Sequence, residues 1–551
     1  RKALVLSVKA FMKKYARTGI AILLTALLFT LYIQILNYFA ATIWIPLLAL
    51  TDLLTLLAAA CIFLPRFLPP QCIELIQRGL ILYHRAESTF YSLFSDKTLF
   101  FQLWGILSLF YIPAYLCLFP GTYGYDAPIQ IAQYFKESSL TSHHPLAHTW
   151  LIGFFFSLGN TLFKSYTVGF ALYTALQGLA VTAALAYSLV ACKRHRVPLI
   201  WILIGALWAA LNPFLQVLSF SSTKDILFGV FLLCFSVALW DFLDYTNPRR
   251  GHHIRLVLFG VLTCLFRNQG IYIMLALLLL CLLLRAKKKG LCTCLAIAYL
   301  IPQVFFVQSV ETFHIPKGDA KEMLCVPMQQ MARVCSSYAI GGDVNVTPEQ
   351  YMTVSELIYP EAFLMYVPDA ADTVKNYFRT EVLNEDFGKY LSVYVSLMLQ
   401  NPREYLQAWV ELIRPYWDMC SNEYKGLAFT YTFPDMNHWD INHAELFQSY
   451  FFLLYDKISA PRYSLLWRPE SCLWILAALP GLAVARRRKR LFLSTLPLGL
   501  YLATTLLGPV ALLRYLFPLT LATPLLLGML FQRKPIVRKR PKSGKKTPVR
   551  A

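Results

Sequence analysis

Long apolar runs alternate with short basic loops along most of this 551-residue chain. A helix needs about 20 apolar residues to cross the hydrocarbon core of a membrane, and runs of roughly that kind occur about twelve times. They lie near 18–38, 41–64, 98–118, 166–190, 198–214, 225–244, 254–267, 271–285, 291–310, 471–485, 491–508 and 514–531. The pattern predicts an all-α polytopic membrane protein with about twelve transmembrane helices.

One further apolar run, 146–163, is assigned differently. Counting it as a span would place the basic loop at 192–196 on the opposite side from the other basic loops. We therefore expect an outer juxtamembrane helix there, lying in the interface with His148 and Trp150 near the headgroups. The alternative is that 146–163 does span and that a shorter run such as 254–267 does not.

Composition supports a membrane protein and excludes a soluble globular enzyme, with 57% hydrophobic residues, 15% charged residues and a mean hydropathy of +0.51. The net charge of +21 comes largely from short loops and tails. If these basic segments are cytoplasmic, both termini lie inside a plasma membrane, which we expect to be bacterial. The basic runs lack interleaved aromatic residues, so we expect contacts with membrane lipids and no nucleic-acid partner.

Between 311 and 470 the composition reverses, because this region holds 21 of the 30 acidic residues against 12 lysines and arginines. The topology places it outside, as a small α-rich extracytoplasmic domain. Thr347-Pro348 and Asn401-Pro402 are helix-start signals, and helices are predicted near 347–366, 386–400 and 402–414. The domain also contains three cysteines, two of which could form one disulfide: Cys325, Cys335 and Cys420.

These patterns divide the chain into five parts. We predict a two-span accessory region at 1–97, a membrane module at 98–310 with its first outer loop at 119–165, the outer domain at 311–470, three spans at 471–531 and a basic cytoplasmic tail at 532–551. The chain starts at Arg1 rather than Met, which is consistent with a missing N-terminal piece.

The first outer loop carries the main candidate residue, Asp126. An acid at the end of a membrane span is costly and therefore indicates a functional site. Its carboxylate could take a proton from a substrate. The alternative is that Asp126 only caps the predicted helix that begins at Ala127.

Other candidates stand at the outer ends of predicted spans or in the same loop. Lys224, Arg267 and Arg514 lie outside the basic clusters and could bind a phosphate, or else reach out to lipid phosphates or pair with Asp225. Asp225 is a candidate second acid. His143 and His144 are predicted to contact substrate, with interfacial anchoring as the alternative and a metal pair less favoured.

The order of these residues resembles the GT-C superfamily of polytopic glycosyltransferases, which includes protein O-mannosyltransferases and aminoarabinose transferases of lipid A. The resemblance lies in GTYGYD at 121–126 and HHPL at 143–146. The chain has His-His-Pro where the mannosyltransferases have His-Pro-Pro, and one acid where some members have two, so dependence on a divalent cation is left open. Blocks at 221–225, 266–270, 327–334 and 508–518 are similar to an uncharacterised membrane family of Gram-positive bacteria.

The resemblance implies a membrane glycosyltransferase that moves a sugar from a polyprenyl-phosphate donor to a cell-envelope glycan, lipid or protein on the outer face. Asp126 would be its general base. A transporter or flippase of lipid-linked envelope precursors is the alternative, and a scaffold without chemistry is a third interpretation. Transporters commonly show internal repeats and charges at the midplane. This chain has no evident repeat, and its unusual charges lie at outer ends, which favours the enzyme.

Overall fold

A computed structural model describes residues 70–124, 126–245, 248–284, 290–316, 320–417, 439, 441, 468–485 and 488–533. In these ranges every regular element is a helix, and strand pairing is confined to isolated bridges. The runs predicted at 18–38 and 41–64, Cys420 and nearly all of the basic tail lie outside the described residues.

Helices account for each of the ten predicted spans that fall in the described part of the chain. The membrane bundle and its connecting helices are α1 (Pro70–Leu93), α2 (Asp96–Cys117), α3 (Ala127–Tyr134), α4 (Leu146–Phe163), α5 (Tyr166–Arg194), α6 (Leu199–Leu211), α7 (Pro213–Leu218), α8 (Lys224–Asp244), α9 (Arg250–Phe266), α10 (Gln269–Leu283) and α11 (Leu291–Thr312). The bundle is completed by α20 (Glu470–Ala485), α21 (Lys489–Thr505), α22 (Phe517–Leu521) and α23 (Thr523–Phe531).

The predicted number of spans is not confirmed. Among described residues, five helices are long and apolar enough to cross a membrane, or six if a pair bent by 45° counts as one span, Leu513–Leu521 with Thr523–Phe531. One reason is visible at the run predicted for 198–214. There the helix stops at Leu211, because Asn212 caps a new helix by accepting a hydrogen bond from Leu215 N at 2.9 Å, with Pro213 at its first position.

Helix α8 forms the centre of the bundle. It is apolar on every side, as expected of a helix that is surrounded by others, and it packs against α5, α9, α21 and α22. Its two ends carry acids that are almost fully buried, Asp225 at the start and Asp241 near the end. Buried acids require partners, so each end of α8 marks a charged cluster.

Helix α4 packs against one end of the bundle. Trp150 meets Phe305 and Phe313 at the end of α11, and Phe156 meets Tyr166 and Phe170 at the start of α5. This is the end at which α8 begins. Helix α4 is also long and apolar enough to span, so its predicted position in the interface stays a prediction.

The outer domain has a hydrophobic core of its own. Its helices are α12 (Cys325–Ala339), α13 (Pro348–Leu357), α14 (Glu361–Leu364), α15 (Asp372–Lys375), α16 (Thr380–Glu385), α17 (Phe387–Gln400), α18 (Pro402–Leu412) and α19 (Arg414–Trp417). The predicted helix at 347–366 is therefore broken, whereas those at 386–400 and 402–414 agree within two residues.

Both predicted helix-start signals stand where helices begin, but they work differently. Thr347 caps α13 by accepting from Gln350 N at 3.2 Å. Asn401 precedes α18 without a cap bond, because its side chain pairs with the backbone of Asn345 instead. Cys325 and Cys335 are both free thiols, so no disulfide joins them.

Candidate functional site

Two loops pair to form the frame of the site. Thr122 makes a parallel bridge with Ser221: Thr122 N donates to Phe220 O at 2.9 Å and Ser222 N donates to Thr122 O at 2.8 Å. Gly121 has a φ of 137°, which disfavours residues with a side chain, and a Cβ there would also collide with Thr174. The pairing brings the loop before α3 against the loop before α8.

Asp126 lies directly before α3, but its carboxylate does not cap that helix. Instead Asp126 Oδ2 lies 3.0 Å from Lys224 Nζ and 4.0 Å from Arg514 Nη2. The alternative that the side chain only caps the helix is therefore wrong. Burial raises the pKa of Asp126, but Lys224 and Arg514 outweigh burial and hold the pKa well below its usual range.

Arg267 and Asp225 form a buried ion pair. Arg267 Nη1 also lies 3.4 Å from the Tyr501 hydroxyl, and its guanidinium faces the rings of Tyr501, Phe228 and Tyr515 at 5.7, 5.5 and 4.9 Å. Aromatic faces and a carboxylate together compensate a buried cation. The guanidinium of Arg267 is thus occupied by neighbours within the protein.

Arg514 is buried but incompletely bonded. Its side chain is 4% exposed, and its Nε and Nη1 atoms have no hydrogen-bond partner. Asp225 Oδ2 lies 3.7 Å from Nε, too far for a hydrogen bond, and the Tyr515 hydroxyl lies 3.4 Å from Nη2. A buried donor without a partner is costly. A bound anion would supply an acceptor for such a donor.

His144 stands beside Lys224, with 3.3 Å between His144 Nδ1 and Lys224 Nζ. Burial and then the charge of Lys224 lower the pKa of His144 to about 3, so the ring is neutral near pH 7. Because Lys224 donates to Nδ1, the proton of the neutral ring is on Nε2. His143 is exposed, and its ring contacts that of His144 edge-on at 4.8 Å.

The arrangement does not fit a divalent cation. Across the described ranges, no group of three or more His, Cys, Asp or Glu side chains is placed to bind one. Both carboxylates of the cluster are already next to cations: Asp126 faces Lys224 and Arg514, and Asp225 faces Arg267 and Arg514. Three cations against two carboxylates leave the cluster with an excess positive charge, which repels a metal ion and attracts an anion.

Comparison with known proteins assigns a family. The profile of a family of unknown function, DUF6020, matches residues 104–544. The chain belongs to DUF6020. No curated protein matches the sequence. A crystal structure of ArnT from Cupriavidus metallidurans bound to undecaprenyl phosphate is similar over 77% of each chain, with 13% identity and a TM-score of 0.28. A likeness this weak carries no argument about fold or chemistry.

A buried polar chain lies beneath the site in this DUF6020 protein. His148 is 0% exposed, and its Nε2 lies 2.8 Å from the Tyr173 hydroxyl, which lies 2.9 Å from Gln177 Oε1. His148 Nδ1 lies 3.0 Å from the side-chain amide of Gln130, one turn beyond Asp126 on α3. The ring of His148 therefore faces the protein interior and not lipid, and its predicted depth at headgroup level stays a prediction.

This row of hydrogen-bonded side chains connects the two loops that carry Asp126 and Lys224. Gln177 Nε2 donates to Ser219 O at 2.9 Å and to Ser221 O at 2.8 Å, just before α8. These two bonds fix the amide of Gln177, so its oxygen accepts from Tyr173. Sequence reasoning missed these hydrogen-bonded side chains, since a single polar residue in an apolar helix resembles an ordinary buried residue. The available signal was the number of polar residues in the first half of α5.

Proposed function

We propose that this protein is a membrane glycosyltransferase that transfers a sugar from a polyprenyl-phosphate donor to a cell-envelope glycan, lipid or protein at the outer face of the plasma membrane. The observation that supports this best is the buried guanidinium of Arg514, with two unpartnered nitrogen atoms beside Asp126 and Lys224. A phosphate oxygen would give the Nε–H or the Nη1–H an acceptor, and a carboxylate is already next to it.

Donor binding follows from the charges. The phosphodiester of such a donor carries one negative charge, which matches the excess positive charge of the cluster. We assign its oxygens to Arg514 and Lys224, with the Nε2–H of His144 as a neutral donor and His143 at the exposed rim. Arg267 and Asp225 are then a supporting pair that holds Arg514 from behind, rather than a direct ligand and a second catalytic acid.

Donor binding would also prepare the base. With no anion bound, Asp126 is paired to Lys224 at 3.0 Å and is a weak proton acceptor because its pKa is lowered. A phosphate that draws Lys224 and Arg514 to itself removes the charges that lower this pKa. The basicity of Asp126 then rises when donor is present, which restricts proton removal to the complex.

The reaction is a single displacement. An acceptor hydroxyl attacks the anomeric carbon of the sugar, a new carbon–oxygen bond forms, and the bond from that carbon to the phosphate oxygen breaks. The phosphate leaves with the electron pair, stabilised by Arg514 and Lys224. Asp126 takes the proton of the hydroxyl. Attack from the face opposite the leaving phosphate inverts the anomeric configuration.

The test is a comparison of lipid-linked sugars. Membranes of a strain that lacks the gene should accumulate one undecaprenyl-phosphate sugar, and purified protein in nanodiscs should convert that lipid to undecaprenyl phosphate in the presence of an acceptor extract. Complementation by Arg514→Gln should fail. Arg468→Gln, at another buried arginine, is the control and should complement, unless the loss of any buried arginine inactivates the protein. Movement of the intact donor lipid between leaflets without release of undecaprenyl phosphate would indicate the flippase alternative.

A further inference from the structure

The segment that leads into Arg514 is held by the outer domain. Trp409 Nε1 donates to Leu506 O at 2.9 Å. Ala371 N donates to Pro509 O at 2.8 Å, and Ala370 pairs with Val510 in an antiparallel bridge. The Tyr416 hydroxyl adds a longer bond to Val510 O at 3.4 Å. Two parts of the outer domain, α18 and the loop at 370–371, thus meet residues 506–510, together with Tyr416, which packs in the core of the bundle.

Residues 506–512 contain no helix. Leu506 N donates to Leu502 O at 2.9 Å and Gly508 N to Thr505 O at 3.1 Å, so residues 506–508 are tied to the end of α21, and Pro509 and Val510 are bonded to the outer domain. The one-turn 3-10 helix Leu513–Leu516 follows at once and carries Arg514. The guanidinium itself is weakly restrained, because two of its three nitrogen atoms have no hydrogen-bond partner. The backbone before Arg514 therefore contributes to its position, and that backbone is bonded in part to the outer domain.

Trp409 is the main point of connection. In the described part of the chain, it is the residue that packs against both the core of the bundle and the core of the outer domain. Its helix, α18, is fixed to α12 by Arg333, which bonds Glu404 at 2.7 Å and Glu411 at 2.5 Å. The indole is thus mounted on a rigid part of the outer domain.

We propose that the outer domain positions the anion site, with Trp409 as a positioning residue that acts on the bound phosphate through Arg514. This rests on the proposed function, in which Arg514 binds the donor phosphate. It assigns to the outer domain a role in donor binding as well as any role in acceptor binding. Displacement of the outer domain from residues 506–510 would release the donor phosphate.

The test compares two tryptophan variants of the full-length protein in nanodiscs. Trp409→Phe removes one indole N–H bond to a backbone carbonyl and keeps an aromatic ring. Trp104→Phe is the matched control, because Trp104 Nε1 donates to Leu179 O at 3.0 Å within the bundle, remote from Arg514 in the contacts it makes. With undecaprenyl phosphate as the probe, one lost hydrogen bond of about 0.5–1.5 kcal/mol corresponds to roughly 2- to 13-fold weaker binding. We expect this loss in Trp409→Phe and not in Trp104→Phe.

A double-mutant cycle separates positioning from general loss of stability. On an Arg514→Gln background, Trp409→Phe should weaken binding no further, since its effect passes through the missing guanidinium. An undiminished additional loss would overturn the proposal. Equal melting temperatures of the two tryptophan variants would exclude partial unfolding as the cause of the difference.

A second measurement does not depend on the ligand. Hydrogen–deuterium exchange of the backbone amides in 506–516 should be faster in Trp409→Phe than in Trp104→Phe. Unchanged exchange would overturn the positioning role, whatever binds. Suppose that exchange rises in Trp409→Phe and that the parent protein does not bind undecaprenyl phosphate. In that case the donor proposal and the assigned effect on phosphate fail, and the link between the outer domain and the segment that carries Arg514 stands.

Discussion

Replacing Asp126 with asparagine should separate binding from chemistry. The change keeps the size of the side chain and removes the charge that faces Lys224 at 3.0 Å and Arg514 at 4.0 Å. If Asp126 is the general base, the transfer rate should fall by about 10²–10⁴, which corresponds to roughly 3–5 kcal/mol in activation free energy. The protein should remain folded, because α3 does not rely on a side-chain cap at this position.

Binding should change in the opposite direction. Asp126 is a like charge near any phosphate bound by Lys224 and Arg514, and at about 4 Å such a charge opposes binding by about 1 kcal/mol even in bulk water and by more in a buried site. Asp126→Asn should therefore bind undecaprenyl phosphate at least about fivefold more tightly. Opposite changes in rate and affinity distinguish a base from a residue that merely shapes the site.

The assay measures release of undecaprenyl phosphate at saturating donor, with affinity measured separately in nanodiscs. Asp386→Asn is the matched control, since Asp386 does cap a helix by accepting from Lys389 N at 3.0 Å. The parent should show kcat/KM that is level from about pH 5 to 8, because the pKa of Asp126 is lowered and that of His144 is about 3. Transfer by Asp126→Asn within threefold of the parent would refute the base, and a loss of binding would refute the charge argument.

Three further predictions test the supporting structure. Arg267→Lys should lower the melting temperature and leave phosphate affinity nearly unchanged. Arg514→Lys should weaken phosphate binding by about 1.5–3 kcal/mol and leave the melting temperature nearly unchanged. A larger loss of binding in Arg267→Lys than in Arg514→Lys would contradict the assignment. Gln177→Leu should destabilise the protein by about 1–3 kcal/mol in thermal unfolding, because two carbonyls and a hydroxyl lose their partner. On a cysteine-free background, Ser392→Cys should react with an impermeant reagent outside intact cells and Gly251→Cys should not, and equal labelling would reject the topology.

The residues of the cluster could be selected from sequence because charged residues outside the basic segments and the outer domain are rare in this chain. Asp126, Lys224, Asp225, Arg267 and Arg514 were each singled out on that ground, and the structure brings all five together. Their mutual contacts could not be predicted, because they come from four separate parts of the chain. The positions of charged residues are local information, whereas their pairing depends on packing.

The different environments of the two arginines show where sequence reasoning stops. Arg267 and Arg514 both stand at helix ends and look equivalent in sequence. Tyr501 supplies a hydroxyl 3.4 Å from Arg267 and a ring that faces it, although it is 234 residues away. No local pattern predicts which guanidinium such a distant residue will cover. The same limit applies to Trp409, whose bond to Leu506 joins residues 97 apart.

The two ends of α8 explain why one charged cluster is assigned to function and the other to packing. At the C-terminal end of α8, Asp241 accepts from Arg194 Nη2 at 2.7 Å and lies 2.9 Å from His195 Nε2, and His195 also lies 2.6 Å from Asp244. The His195 ring is stacked on Trp240 at 3.8 Å. The cations and carboxylates around Asp241 are hydrogen-bonded to one another, so this cluster needs no ligand.

At its N-terminal end, the same helix begins with Lys224 and Asp225, and the cations outnumber the carboxylates around them. Arg514 keeps two buried nitrogen atoms without hydrogen bonds. If the cluster around Asp225 served only to join helices, its groups could all be hydrogen-bonded to one another, as they are around Asp241. The incompletely bonded guanidinium has a cost in stability that a bound anion would offset, and this difference between the two ends supports a ligand site at the start of α8.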